Sequence, residues 1–164
     1  MIVRHTSFQL GDPNFKVLVA DDCAPNRRMF EALYKSCGCT VTVAKDGAEA
    51  IDAALGQYFD LICLDRHMPH VSGDEVAASV RSAYPRSPRP FLVLCTSDPR
   101  PGDVSGLFDA VLPKPVSPHD VVKVVARALH KALASRRRSS LDSRVTQSPA
   151  GLALMVRDLH GKGA

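Results

Sequence analysis

The chain has 164 residues, enough for one domain of ordinary size and an appendage. Its ordinary apolar and charged fractions argue against general disorder, and the lack of an apolar run of about 18 residues argues against a membrane-inserted protein. The net charge of +4 arises at the end of the chain, because residues 1–134 hold 15 basic and 15 acidic residues while residues 135–164 hold 6 and 2. Without a signal peptide at the start, a cytoplasmic location is the expectation.

From residue 16 onward, short apolar runs alternate with helical patterns. The runs predict five strands, at residues 16–20, 40–44, 61–64, 91–95 and 110–113, and apolar residues at helical spacing predict helices within 25–37, 46–58 and 72–84. This order is typical of an α/β fold, a (βα)5 doubly wound parallel five-stranded sheet, over residues 16–134 after a lead segment at 1–15. Ligands are then expected at the carboxyl ends of the strands.

The segments before and after the fifth predicted strand differ in how clearly they predict a helix. Between the fourth and fifth predicted strands, "DPRPGDVSG" contains prolines and glycines and predicts a shortened fourth helix. The last helix has a clear start, with Ser117 as N-cap, Pro118 at the first position and Asp120 reaching back as in a capping box.

The five cysteines form an odd set and do not predict disulfides. Cys63 and Cys95 lie within apolar runs, where cysteine behaves as a small hydrophobic residue. Cys37-Gly38-Cys39 has no second cysteine pair to complete a metal site, so we expect a turn that ends the first helix.

Three acidic residues follow two strands that a parallel sheet brings together. Asp21 and Asp22 come directly after the first strand and Asp65 after the third, so their carboxylates converge at one edge. Such crowding disfavours ionisation unless a cation is present, and oxygen ligands of this kind suit Mg²⁺. Thr96 and Lys114 follow the fourth and fifth strands and add a hydroxyl and an ammonium group. The set is suited to phosphoryl transfer to Asp65.

These residues resemble a known family. Asp21-Asp22, "DRHMPHVSG" at 65–73, "TS" at 96–97 and "KP" at 114–115 are similar to the receiver domain of two-component response regulators, of the stand-alone CheY-like, flavodoxin-like kind. The resemblance implies that Asp65 accepts a phosphoryl group from a histidine kinase or phosphotransfer protein. It also implies Mg²⁺ on Asp22, Asp65 and the His67 carbonyl, with Asp21 acting mainly through water.

The resemblance further implies that Thr96 and Lys114 contact the phosphoryl group and that a cis bond precedes Pro115. One departure concerns the switch of the family, an aromatic ring three residues before the lysine. Val111 stands at that position, so the usual aromatic readout of phosphorylation is absent.

The composition changes after Ala134. Residues 135–151 have few apolar side chains and are predicted to be disordered alone, while Leu152, Met155, Val156 and Leu159 share one face of a short helix that needs something to pack against. A solvated extension, a nucleic-acid-binding arm and a membrane-surface helix are all open alternatives. The last two are disfavoured, so we expect neither DNA binding nor membrane insertion.

A fourth interpretation is a guanine nucleotide site. Guanidinium groups match the O6 and N7 edge of guanine, and carboxylates accept hydrogen bonds from its N1 and N2. The tail is similar to the arginine-rich extension of the Cle group, CheY-like proteins that bind cyclic di-GMP and act at the flagellar motor. The residues predicted to bind are Arg136, Arg137, Arg138, Asp142, Arg144, Arg157 and Asp158.

The sequence therefore predicts a signalling receiver and not an enzyme. Asp65 would be its phosphoacceptor, and the tail would bind cyclic di-GMP to control docking on a partner such as the flagellar switch. One alternative is a phosphorylation-only receiver with an incidental tail. Another is an aspartyl-phosphate hydrolase, which is disfavoured because His67 stands where its second aspartate belongs.

Overall fold

The computed structural model describes the backbone of residues 14–86, 88–98 and 106–146, and the side chains of these residues up to 135. The five strands are β1 (Lys16–Ala20), β2 (Thr40–Ala44), β3 (Leu61–Asp65), β4 (Phe91–Thr96) and β5 (Ala110–Pro113). The helices within the described ranges are α1 (Ala24–Ser36), α2 (Gly47–Gly56), α3 (Gly73–Ala83) and α4 (Pro118–Thr146). All strand pairs are parallel, in the order β2-β1-β3-β4-β5. The predicted fold class is confirmed.

Each face of the sheet carries its own hydrophobic layer. On one face, Phe30 and Tyr34 of α1 pack with Val121 and Val125 of α4. On the other face, α2 and α3 contribute small and β-branched side chains, such as Ala50 and Val76. Since β3 and β4 are buried on both faces, their sequences are continuous apolar runs without polar alternation.

The helix ends follow the predicted local signals. Ser117 Oγ accepts a hydrogen bond from the Asp120 amide, and the Asp120 carboxylate accepts one from the Ser117 amide, which confirms the capping box. Gly38 has a φ of 86°, a conformation that favours glycine, and ends α1 as predicted for the Cys37-Gly38-Cys39 turn. All five cysteines are free.

Three regions differ from the sequence expectations or lie beyond them. The last helix does not stop at Ala134 but continues to Thr146, so residues 135–146, expected to be disordered on their own, form part of α4. Extending a packed helix avoids the cost of nucleation that an isolated segment would bear. Phe15, predicted to belong to a lead segment, is buried in the core at 3% exposure. Residues 99–105, which hold most of the predicted short fourth helix, lie outside the described residues.

A membrane-spanning helix would need a long and strongly apolar stretch. Within the described ranges, the helices do not combine the necessary length and hydropathy.

Candidate functional site

The acidic site lies at the carboxyl edge of the sheet, between β1 and β3. These neighbouring strands are in register from Val17 opposite Leu61 to Ala20 opposite Leu64, so Asp21 and Asp65 emerge side by side. In sheets of this strand order, β1 and β3 flank the point where the connections change direction and ligands bind. Asp21, Asp22 and Asp65 each offer a carboxylate oxygen, and these atoms lie within 4.8 Å of one another. The predicted convergence is confirmed.

Lys114 brings a cation to this cluster. Its Nζ lies 3.0 Å from Asp21 Oδ2 and 3.0 Å from Asp65 Oδ1. The backbone at the end of β5 fixes the lysine, because the Lys114 amide donates to the Thr96 carbonyl at 2.8 Å. The Lys114-Pro115 bond is cis, as the family resemblance implied.

The charges in this site are not balanced. Burial raises the pKa of Asp65, Asp21 and Asp22 add to the increase, and Lys114 opposes it without cancelling it. Burial would lower the pKa of Lys114, but its hydrogen bonds with Asp21 and Asp65 raise it on balance. The Lys114 ammonium group is therefore held in its charged form. The excess negative charge around the Asp65 carboxylate favours binding of a further cation.

Hydrogen bonds from the start of α1 occupy Asp21. Its Oδ1 accepts from the Cys23 amide at 2.9 Å, and Asn26 Nδ2 lies 3.3 and 3.2 Å from the two oxygens. Arg27 donates to the main-chain carbonyls of Asp21 and Asp22 at 2.7 and 2.9 Å. Sequence reasoning missed Asn26 and Arg27. The sequence could have indicated their role, because both residues lie in the first turn of the helix that follows Asp21 and Asp22.

Thr96 is buried at 1% exposure beside this cluster. Its Oγ1 accepts from the Asp98 amide at 3.0 Å, which leaves the hydroxyl hydrogen free to be donated elsewhere. Asp98 is also linked to Arg66, whose guanidinium lies 3.7 Å from Asp98 and 3.0 Å from Asp74 at the start of α3. Sequence reasoning missed this bridge between the loop after β4 and α3, because no motif joins the three positions.

Gly73 allows the loop after Asp65 to close tightly. A Cβ added to Gly73 would lie 2.3 Å from the Asp65 carbonyl oxygen, well inside van der Waals contact. The Gly73 amide donates to the Arg66 carbonyl at 3.0 Å. Residues 66–73 therefore form a compact loop that begins at Asp65 and ends at the first residue of α3.

The remaining predicted residues occupy different regions. His67 is exposed in the loop after Asp65, and Val111 is half-buried on β5. Arg136, Arg137, Arg138, Asp142 and Arg144 lie on the helical backbone of α4, whose side chains are not described beyond residue 135. Arg157 and Asp158 lie outside the described residues.

Comparison with known proteins gives one family match. The model described as "Response regulator receiver domain" matches residues 17–126. The transcriptional regulatory protein ResD of Bacillus subtilis is 32% identical over 120 residues, which cover 71% of this chain and 49% of ResD. This chain therefore spans about half the length of that relative.

Two solved structures show the same architecture. The chemotaxis response regulator CheY4 of Vibrio cholerae has a TM-score of 0.61 and 30% identity, covering 69% of this chain and 97% of CheY4. The response regulator TrrA of Thermotoga maritima, solved in complex with Mg(2+)-BeF, has a TM-score of 0.63 and 25% identity, covering 69% of this chain and 97% of TrrA.

Proposed function

Because this chain belongs to the response regulator receiver family, we propose that Asp65 is its phosphoacceptor and that an arginine-rich helix end adds a second input. Receiver domains take their phosphoryl group from histidine kinases or phosphotransfer proteins. The observation that carries the first part is the geometry around Asp65. It shares Lys114 with Asp21 and lies beside a buried hydroxyl at the carboxyl edge of the sheet.

The donor set fits a magnesium ion. Three carboxylates converge, and Lys114 contacts two of them, so a hard cation with oxygen ligands relieves the remaining repulsion. Asp22 and Asp65 would hold the ion with the His67 carbonyl. Asp21 would act through water, since its oxygens already accept hydrogen bonds from Cys23, Asn26 and Lys114. When bound, Mg²⁺ would neutralise charge on the phosphoryl oxygens.

The residues of this chain supply the rest of the chemistry. An Asp65 oxygen forms a bond to phosphorus as the nitrogen–phosphorus bond of the phosphohistidine breaks, and the imidazole leaves with the electron pair. The Lys114 ammonium group and the Thr96 hydroxyl then stabilise the negative charge on the transferred phosphoryl oxygens.

The first experiment is phosphorylation of the full chain by acetyl phosphate with Mg²⁺, followed by intact-mass measurement. We expect one added phosphoryl group in the wild-type chain. We expect no adduct to form when a metal chelator is present during the reaction, and none in Asp65→Asn. Asp52→Asn is the matched control, since Asp52 is an exposed aspartate of α2. An adduct that persists in Asp65→Asn would contradict the assignment.

The second part of the proposal is cyclic di-GMP binding by Arg136, Arg137, Arg138, Asp142, Arg144, Arg157 and Asp158. Its support is the sequence pattern, in which acidic residues stand among arginines. The helical backbone of residues 135–146 is compatible with it, because Arg138 and Asp142 are four apart and so occupy one side of α4. Binding there would control docking on a partner such as the flagellar switch.

Calorimetric titration of cyclic di-GMP into the full chain tests this second part. We expect binding to be abolished by combining Arg138→Ala, Arg144→Ala and Arg157→Ala, with Asp65 phosphorylation unchanged. The control combines Arg28→Ala, Arg86→Ala and Arg89→Ala, three exposed arginines outside the tail. The absence of heat with the wild-type chain would leave a phosphorylation-only receiver.

A further inference from the structure

Arg66 stands directly after Asp65 and is held in place through its backbone. Its amide donates a hydrogen bond to the Cys95 carbonyl at 3.2 Å, and its carbonyl accepts one from the Gly73 amide at 3.0 Å. The first bond joins the end of β3 to β4, and the second closes the loop of residues 66–73. The guanidinium group therefore extends from a fixed point beside the proposed phosphoacceptor.

The guanidinium group of Arg66 contacts two carboxylates through different nitrogen atoms. Its Nε lies 3.0 Å from Asp74 Oδ2, and its Nη1 lies 3.7 Å from Asp98 Oδ2. Arginine suits this position because its planar group offers donors in several fixed directions, which a lysine ammonium group does not. Asp74 belongs to the first turn of α3, where Ser72 and Glu75 form a capping box. Arg66 therefore ties Asp98, in the loop after β4, to a well-defined helix start.

Asp98 in turn orients the Thr96 hydroxyl. The Asp98 amide donates to Thr96 Oγ1 at 3.0 Å and so occupies one side of that oxygen. The hydroxyl hydrogen then points away from Asp98, toward another acceptor. Cys95 pairs with Asp65 in the register of β3 and β4, so Thr96 follows at the carboxyl edge of the sheet.

Only the side chain of Thr96 depends on Asp98 for its direction. The Thr96 backbone is part of β4, and its carbonyl accepts a hydrogen bond from the Lys114 amide at 2.8 Å. The hydroxyl, in contrast, can rotate unless a neighbour holds it. A donor stabilises developing charge most effectively when it is already oriented before the reaction. The contacts that hold Asp98 therefore bear on the reactivity of the site.

We propose that Arg66 is a positioning residue for phosphorylation, an inference that rests on the proposed function of Asp65. Arg66 holds Asp98, and Asp98 holds the Thr96 hydroxyl in the direction from which it donates to the transferred phosphoryl oxygens. Arg66 thus acts through the loop after β4 and not by contact with the phosphoryl group.

The rate of adduct formation tests this role in the full chain, with acetyl phosphate as donor, Mg²⁺ present and intact mass as the readout. We expect Arg66→Gln to lower the rate about tenfold, less than the loss of about 100-fold or more that follows removal of a stabilising donor. Asp98→Asn keeps the amide but removes the partner charge of Arg66, so it should have a similar effect. Lys35→Gln breaks an exposed ion pair with Glu31 on α1 and is the matched control, expected to react like wild type.

A double-mutant cycle with Thr96→Val separates positioning from a general structural role. If Arg66 acts through the Thr96 hydroxyl, Arg66→Gln has little further effect on the rate in the Thr96→Val background. An equal loss in both backgrounds would overturn the proposal, as would an Arg66→Gln protein that reacts as fast as wild type. If urea titration shows that Arg66→Gln is unfolded, Asp98→Asn takes its place in the cycle with the same expected outcomes.

The wild-type chain distinguishes failure of this inference from failure of the proposed function. A wild-type adduct at Asp65 that forms independently of Arg66 and Asp98 would overturn the positioning role alone. Absence of any adduct in the wild-type chain would overturn the proposed function and the positioning role with it.

Discussion

The two edges of the sheet hold contrasting clusters of charge. At the carboxyl edge, Asp21, Asp22 and Asp65 converge around Lys114. At the amino edge, Asp109 accepts from Lys131 at 2.6 Å, from Arg81 at 2.8 Å and from the Leu92 amide at 2.9 Å. The carboxyl-edge cluster has more carboxylates than cations, whereas the amino-edge cluster has more hydrogen-bond donors than carboxylates.

The pKa values record this difference. Burial raises the pKa of Asp65, with Asp21 and Asp22 adding to it. Burial also acts to raise the pKa of Asp109, but its hydrogen bonds with Lys131, Arg81 and Leu92 lower it on balance. The charge of Asp109 is compensated within the fold, whereas the carboxyl-edge cluster, within the described residues, keeps an excess of acids over its one cation, Lys114. A buried acid alone therefore does not indicate a functional site, whereas a buried acid whose charge is not compensated is a candidate for one.

The largest expected effect comes from breaking the complete cluster. Asp109→Asn removes the charge that joins α3, β4 and α4, and leaves Arg81 and Lys131 without their shared counter-ion. We expect a loss of about 3 kcal/mol in the free energy of unfolding, measured by urea titration. Asp52→Asn is the control and should stay within about 0.5 kcal/mol of wild type. A similarly small change for Asp109→Asn would mean that the cluster is not stabilising.

Sequence patterns predicted the carboxyl edge far better than the amino edge. Asp21, Asp65 and Lys114 each follow an apolar run, and parallel strands bring such positions together without further information. Asp109 and Arg81 are 28 residues apart and belong to no repeated spacing, so only the tertiary arrangement reveals their contact. Phe15 was missed for a related reason, because a single apolar residue before a strand does not reveal its packing.

The end of α4 shows the limit of composition as a guide. Residues 135–146 have too few apolar side chains to form a core of their own, which favoured disorder. They nevertheless continue a helix already anchored by Val121, Val125 and Ala128. Arginine has a good intrinsic helix propensity, so propagation needs no additional packing.

The stabilising effect of Asp109 should depend on pH. Since its folded pKa is lowered, its contribution is fully present above the unfolded value of about 3.9 and is lost as pH falls through the folded value. The stability difference between wild type and Asp109→Asn should therefore be constant near neutral pH and shrink below about pH 4. Urea titrations of both proteins from pH 7 to pH 3 measure it. A stability difference that grows as the pH falls would show that folding raises the pKa of Asp109 and does not lower it.

A smaller change in the free energy of unfolding, with the opposite sign, is expected at the carboxyl-edge cluster. Asp65→Asn relieves repulsion from Asp21 and Asp22, so without Mg²⁺ it should raise the free energy of unfolding by about 1 kcal/mol. Adding Mg²⁺ should stabilise wild type and Asp109→Asn but have little effect on Asp65→Asn. Thermal melts with and without the ion measure both changes. If Mg²⁺ stabilised all three proteins equally, the ion would bind at a site that does not include Asp65.

The smallest expected effect concerns a buried polar group that belongs to neither edge. The Tyr34 hydroxyl is fully buried and, among the described residues, has no hydrogen-bond partner. Burial raises its pKa, and the thiols of Cys63 and Cys95 add to the increase. Tyr34→Phe removes this unsatisfied group while keeping the ring in the core, so the free energy of unfolding should rise by up to about 1 kcal/mol.

Phosphorylation of Asp65 should be unchanged in Tyr34→Phe, because Tyr34 packs beneath the sheet and contributes no group to the acidic cluster. A loss of stability would instead show that the hydroxyl bonds to a neighbouring thiol. A gain in stability with normal phosphorylation would separate the unsatisfied hydroxyl of Tyr34 from the acidic cluster, where Lys114 contacts Asp65 at 3.0 Å. Loss of the hydroxyl would then change stability alone, whereas the uncompensated charge around Asp65 is the feature on which the proposed phosphoryl transfer depends.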